Sequence, residues 1–401
     1  MEAGNLAWAV VATALVLVMT PGVAFFYGGL VKAKSVISMM MMSFGSMGLV
    51  GVLWVLVGFN MSTVSNPFDF AGDAFSDFAL ATADDNTLLY ATYGGTFAII
   101  TVALISGAIA DRAKFGSWMI FAGLFSVLVY FPVAAWVWGG GWIMNLGSVL
   151  GTPAVIDYAG GTAVHINAGA AALALALVLG KRVMFGKGIH QPHNVPLTLT
   201  GVALLWFGWF GFNAGAQAFG DMSQIGLISI NTFVATSAAI LGWLVVEKLR
   251  EGKASSVGAA SGAIAGLVAI TPACANLTPG WSIVLGIVVG AISAFAINMK
   301  FALGFDDSLD VVGLHLVGGL GGTIFLGFFA NETGLIFSGD YGQLIVQTIA
   351  ALGVLVYSFV ASLGLGYAIE RTIGFRASTE TEIQGIDTVV HGELGYAISD
   401  R

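Results

Sequence analysis

Gly161-Thr162-Ala163-Val164-His165-Ile166-Asn167-Ala168-Gly169-Ala170-Ala171-Ala172-Leu173-Ala174-Leu175-Ala176-Leu177-Val178-Leu179 is an apolar run with a single ionisable side chain, His165. As a helix it is long enough to cross a hydrocarbon core, which takes about 20 residues. Ten more runs of this kind flank it. Before it lie Leu6 to Val31, Val36 to Met61, Leu88 to Ala110 and Trp118 to Trp138; after it come Val195 to Phe219, Ile225 to Val246, Val257 to Ala275, Trp281 to Ile297, Val311 to Ala330 and Leu344 to Ile369. A composition of 57% hydrophobic and 9% charged residues belongs to the membrane class. The expectation is an all-α integral membrane protein of about eleven transmembrane helices.

Orientation follows from the basic residues, which cytoplasmic loops retain. With eleven spans all 14 fall on one side: Lys32 and Lys34; Arg112 and Lys114; Lys181, Arg182 and Lys187; Lys248, Arg250 and Lys253; Lys300; Arg371, Arg376 and Arg401. A miscount by one would send the later clusters to the opposite face, so the one-sidedness supports the count. It predicts the N-terminus outside and the C-terminus inside. The other face carries acids alone, among them Asp69, Asp73, Asp77, Asp84, Asp85, Asp157, Asp221, Glu332 and Asp340, which keep loops solvated and mildly enrich cations. The net charge of −8 therefore says little about partners, and no nucleic-acid partner is expected.

Cys274 stands alone, so no disulfide framework or thiolate cluster is expected and it reads as a small packed residue. No basic region precedes the first apolar run, and nothing there reads as a signal peptide or lipidation signal. Residues 1–370 read as one membrane domain and 371–401 as a polar cytoplasmic tail, in which Gly385, Gly392 and Gly395 argue against one continuous helix. Gly22, Phe26 and Gly29 in the first span align with Gly208, Phe212 and Gly215 in the sixth. Five spans is an odd offset, so two such halves would be inverted, with a pathway between them. Glycines spaced by four, such as Gly258, Gly262 and Gly266, read as helix contacts. Gly180 to Gly188 lacks the spacing and hydroxyl of a nucleotide loop, so no ATP-driven pump is indicated.

Of five histidines, His190, His193 and His391 read as cytoplasmic surface groups. His165 and His315 lie inside apolar spans. One backbone carbonyl can hold a buried histidine structurally, but in a bilayer ionisable groups usually face a pathway or each other. The nearest acids sit at helix edges: Asp157 reads as an N-cap able to stabilise a nearby cation, and Asp310 opens the tenth span beside Asp306 and Asp307. A pathway holding only two imidazoles limits what passes. A bare ion costs on the order of 20 kcal/mol to transfer, whereas deprotonating an ammonium, with lysine's pKa of roughly 10.4 as an upper proxy, costs about 5 kcal/mol at neutral pH. Neutral imidazoles suit a small polar molecule or a proton relay. Phe97, Trp138 and Phe212 lie toward outer ends of their spans, where a cation–π site is worth ~1 to 2 kcal/mol.

At these residues the chain resembles the ammonium transporter family, which includes methylammonium permeases and Rhesus proteins. The resemblance runs through Thr20-Pro21-Gly22, Phe26-Tyr27-Gly28-Gly29, Asp111-Arg112, Val137 to Gly141, Asp157 to Asn167, Gly208 to Gly215, and Asp306 to His315. It implies a homotrimer with one pore per subunit, and eleven spans arranged as two inverted five-helix repeats plus a final helix. It implies His165 and His315 as a twin-histidine pore and proton relay and Phe97 with Phe212 as the gate. Trp138, Phe97 and Tyr93 belong to the ammonium recruitment site, and Asp157 and Asp310 are supports. At Ala216 the chain departs from many bacterial members, which carry a serine whose hydroxyl helps bind the outer cation. The tail from Asp387 to Tyr396 resembles a segment that contacts neighbouring subunits and takes part in blockade by a PII-type signal protein.

The resulting expectation is a cell-membrane ammonium transporter, with methylammonium as a further substrate, no cofactor and no enzymatic activity. It recruits ammonium outside, deprotonates it and passes ammonia along the histidines, the proton following separately. An ammonium sensor with little transport is the alternative, and, apart from the resemblance, a haem held between two intramembrane histidines.

Overall fold

The computed structural model describes residues 1–186 and 191–396; Lys187, His190 and Arg401 of the expectations above lie outside them. The described residues are helical, with no strand and one isolated bridge, Ala113 to Arg376. Among the described residues ten helices are long and apolar enough to cross a membrane: α1 Ala3–Leu30, α2 Ala33–Met61, α3 Asp85–Ile109, α4 Phe115–Leu150, α5 Gly161–Leu179, α6 Val195–Phe219, α7 Ile225–Glu251, α9 Pro279–Leu303, α10 Val312–Phe329 and α11 Gly342–Thr372.

The eighth expected span is shorter than its apolar run. α8 is Ser256–Ile270, and Thr271 to Asn276 continue as turns. Pro272 has no N–H to extend a helix, and its carbonyl accepts the Tyr158 N–H at 3.2 Å. The end of the run thereby wraps around the start of α5. α4 is likewise broken at Trp138 to Gly141 before the short helix Trp142–Leu150.

The segments suspected of repeating lie against each other. α1 and α6 run antiparallel, because a Cβ on Gly29 would meet Asn194 and Thr198, one on Gly201 would meet the Phe26 backbone, and one on Gly208 would meet Leu15 and Met19. Small residues let these backbones approach closely, which in lipid replaces the hydrophobic drive to pack. The four-spaced glycines act alike: a Cβ on Gly262, Gly266, Gly286 or Gly290 would collide with α7.

The basic loops gather at one end of the bundle. Arg182 pairs with Asp306 and Asp111, Arg376 donates to the Leu179 carbonyl, and Lys34 donates to the Ile383 carbonyl. Asn5 near the N-terminus bonds to Ala218 and Gly220 at the other end. The tail is a short helix, Thr379–Gln384, and a wide turn, Asp387–His391. It is docked by its acids: Glu382 accepts the Val183 N–H at 2.6 Å and pairs with Arg376 at 3.0 Å. Asp387 accepts the Ile37 and Ser38 N–H groups at 3.0 and 2.8 Å, capping the start of α2.

Candidate functional site

His165 and His315 are brought together by glycine. α5 and α10 cross so closely that a Cβ on Gly169 would lie 2.5 Å from the Leu316 nitrogen, and one on Gly319 3.1 Å from the Gly161 carbonyl oxygen. At the crossing both helices widen into a π turn, Gly161–Ile166 and Val312–Leu316. The His165 N–H reaches five residues back to the Gly160 carbonyl at 3.0 Å; such turns are rare and concentrate at functional sites. Each π turn holds one histidine, five spans apart, as inverted repeats require.

The two Nδ1 atoms are 3.2 Å apart and the ring centroids 5.3 Å, with both side chains buried. His165 Nε2 has no partner among the described residues. Trp209 stacks on His165 at 5.6 Å and 19°. The sequence reading missed this residue, although it lies three positions before Phe212 and therefore on the same helix face.

Outward from the histidines, Phe97 and Phe212 stack at 4.2 Å and 22°. Beyond them opens a vestibule of about 290 Å³ whose lining includes Tyr93, Phe97, Trp138, Phe212 and Ala216. Inward of the stack is a slot of about 10 Å³ lined by both histidines, Trp209, Phe26 and Tyr27, near the lower limit for one water-sized molecule. Phe212 belongs to both walls, so the stack separates them. Among the described residues, no charged side chain lines either cavity.

Trp138 presents its ring edge-on to Phe97 at 6.2 Å and is anchored through Nε1 to the Asp157 carbonyl at 2.9 Å. Tyr93 packs on Phe97 at 5.0 Å, and its hydroxyl donates to the Gly211 and Phe212 carbonyls at 3.1 Å, turned away from the vestibule. The Asp157 carboxylate accepts four backbone N–H groups, from Gly160 at 2.8 Å, Gly161 at 2.6 Å, Thr162 at 2.8 Å and Ala163 at 3.2 Å, and the Thr162 hydroxyl. Gly160, at φ +120°, makes the left-handed bend this cap needs. Every contact found for this carboxylate is to the start of α5, so Asp157 holds the His165 turn in place.

Asp310 is placed differently from Asp157. It pairs with Lys300 at 2.6 Å, and the carboxylate capping α10 belongs to Asp307, which accepts the Val312 N–H at 2.7 Å. Below this, Arg182 engages Asp306 through its backbone, Nε and Nη2 at 2.7 to 2.9 Å. Burial works to raise the Asp306 carboxyl, but the Arg182 bonds and charge, then Arg112, leave it below the usual range. Burial first, then Asp310, push Asp307 up to about 6 against the pull of Lys300. Of the remaining histidines, His193 is bonded to the Val31 carbonyl and the Tyr396 hydroxyl, and His391 packs edge-on to Phe115. Cys274 is fully buried.

The family model described as the Ammonium Transporter Family matches residues 7–396. The chain belongs to the ammonium transporter family. An ammonium transporter of Mycobacterium tuberculosis is 46% identical over 438 residues, covering 98% of this chain and 90% of that protein. The ammonium transporter Amt1 of Archaeoglobus fulgidus is 39% identical, covering 99% and 100%. Among solved structures, Candida albicans Mep2 superposes with a TM-score of 0.84 at 31% identity, covering 95% of this chain and 87% of Mep2. A structure titled Sensor Amt Protein reaches 0.87 at 26% identity, covering 96% and 97%. The family is one of transporters, not of enzymes, and with its apolar helices the chain is a multi-pass membrane protein.

Proposed function

We propose that this chain carries ammonium inward across the cell membrane by gathering the cation in the aromatic vestibule, removing one proton and passing ammonia between His165 and His315. The observation that carries this reading is the series of compartments: a wide aromatic chamber, a closed Phe97–Phe212 stack, then a slot sized for one small molecule between two imidazoles. An ion entering that slot would lose its hydration with no charged group to replace it, at a cost of several kcal/mol even after relaxation. Ammonium can avoid the cost by leaving its proton behind, and potassium has no such route. Asp157 supports the pair by fixing the turn that carries His165, and the proton follows separately along the imidazoles. Methylammonium, which can also shed a proton, is the next expected substrate.

The basic end is read as cytoplasmic, residues 1–370 as the transport domain and 371–401 as a regulatory tail. Family likeness supports a homotrimer and a PII-type signal protein acting through the tail; a pull-down in which tail deletion left PII binding unchanged would count against the latter. The test of the central reading is current from reconstituted protein on a solid-supported membrane. Ammonium should drive a saturating current that potassium does not, and His165→Ala or His315→Ala should abolish the current or its selectivity. Normal, potassium-excluding currents in both variants would falsify the mechanism. The likeness to a sensor favours a second reading, binding with little transport, and absent flux in proteoliposomes with intact ammonium binding would select it.

A further inference from the structure

We propose that the outer vestibule binds quaternary ammonium cations, such as tetramethylammonium, more tightly than ammonium itself, and that these cations block the pathway without crossing it. The inference rests on the reading of this chamber as the ammonium entrance and adds a ligand class that cannot be transported.

Three observations carry it. The first is size and wall chemistry: of the sixteen residues lining the roughly 290 Å³ chamber, nine are aromatic and none of those described is charged. The second is where the polar tips of the wall point. Trp54 Nε1 donates to the Ala91 carbonyl at 2.7 Å, Trp138 Nε1 to Asp157 at 2.9 Å, and Tyr93 to the Gly211 and Phe212 carbonyls. The Tyr158 hydroxyl accepts from Gln217 at 2.7 Å, and Ser62 donates to the Phe59 carbonyl at 2.7 Å. The tryptophan and tyrosine side chains thus line the chamber chiefly with ring carbon, alongside the neutral hydroxyls of Ser62, Thr63, Tyr90 and Tyr130. The third is Ala216, an exposed lining residue with no hydroxyl.

Ammonium has four N–H donors and is strongly hydrated, so leaving water for a wall whose side-chain acceptors are a few neutral hydroxyls costs it hydrogen bonds. A quaternary cation has no N–H to leave unpaired. Its charge is spread over methyl groups that rest on ring faces, the arrangement by which aromatic cages recognise quaternary ammonium. Its exclusion from the next compartment follows from chemistry and size. It has no proton to give up, and the slot beyond the Phe97–Phe212 stack is about 10 Å³.

The experiment titrates the purified full chain with tetramethylammonium chloride, ammonium chloride and sodium chloride, reading tryptophan fluorescence because Trp54 and Trp138 line the chamber. It then records currents from the same protein in proteoliposomes. Tetramethylammonium should saturate the signal at a lower concentration than ammonium, inhibit ammonium current competitively and evoke no current of its own. Ala216→Ser, which supplies an acceptor, should shift the ratio of the two affinities toward ammonium by roughly tenfold, the scale of one hydrogen bond to a charged group. Trp138→Leu with an unchanged unfolding midpoint should weaken tetramethylammonium binding. A response no different from sodium chloride, an unshifted ratio in Ala216→Ser, or a tetramethylammonium current would each overturn the proposal. Saturable tetramethylammonium binding in a protein that carries no ammonium current would leave this site standing and sink the transport reading instead.

Discussion

His165 Nδ1 and His315 Nδ1 face each other at 3.2 Å across 150 residues of sequence. Two equal atoms cannot both donate, so one Nδ1 carries the shared proton and the other accepts it. With both rings neutral, the outward Nε2 atoms must then differ: one is an acceptor and the other an N–H donor. A pseudo-symmetric pair of helices thus holds a pair whose proton arrangement is asymmetric, and exchanging the two tautomers reverses which ring donates to the pathway.

Because each imidazole fixes the other's tautomer, the pair should behave as one unit. The double variant His165→Ala/His315→Ala is expected to lose little more ammonium flux than either single variant, a strong departure from additivity. Initial currents from the four proteins of the cycle, normalised to protein per liposome, check this. Losses that multiply would mean the two rings act separately.

Asp157 makes a different kind of contribution, through structure. Asparagine at this position keeps one acceptor oxygen and turns an NH2 group toward backbone N–H donors, so Asp157→Asn should cost about 1 to 3 kcal/mol and lower the unfolding midpoint in detergent. The measurement pairs that midpoint with the ammonium concentration giving half-maximal current. A normal midpoint with a shifted half-maximum would instead place the carboxylate in direct contact with the cation.

The glycines at the α5–α10 crossing set the histidine distance. Gly169→Ala places a methyl 2.5 Å from the Leu316 nitrogen, which forces the helices apart at a cost of about 1 to 3 kcal/mol and should reduce flux. Gly364, on the same bundle but with nothing within 4 Å of its Cβ position, is the control; Gly364→Ala should leave flux unchanged and gain about 0.4 to 1 kcal/mol. Thermal unfolding and current, measured on both variants, decide.

Stability should depend on pH through the acidic knot at the basic end. Asp307 has a raised carboxyl, near 6, so its contribution is fully present below the unfolded value of about 3.9 and is lost as pH rises through about 6. Asp306 has a lowered carboxyl, so its contribution is present above the unfolded value and disappears as pH falls through its folded value. The unfolding midpoint should therefore rise on acidification from pH 7.5 toward 5 and fall again below about 4. Asp307→Asn, which can still cap Val312, should flatten the upper limb alone. A midpoint insensitive to pH between 5 and 7.5 in the unaltered protein would contradict this account of Asp307.

Much of the architecture could be read directly. Eleven apolar runs and the one-sided basic residues located the helices, ten of them long and apolar enough to cross a membrane and the eighth a shorter one, and the common end of the loops, because length and polarity of a helix in lipid are one-dimensional properties of sequence. Where the runs misled, the cause was local. Val257 to Ala275 is apolar throughout, yet Pro272 ends the helix, and hydrophobicity carries no record of a missing N–H. Asp310 and Asp307 are three residues apart at the mouth of α10, and nothing in their spacing tells which caps the helix and which meets Lys300.

The sequence by itself determined that two imidazoles lie at membrane depth in a chain with no other charge there, since that follows from which residues occupy which run. Only the tertiary structure decided that they touch, that Trp209 backs one of them, and that the Asp157 carboxylate is spent on the backbone of α5. Those facts depend on how closely two distant helices approach. The approach is set by Gly169 meeting Leu316 and by Gly319 meeting the Gly161 carbonyl and the His165 and Ile166 side chains, a three-dimensional coincidence that no spacing along one helix records.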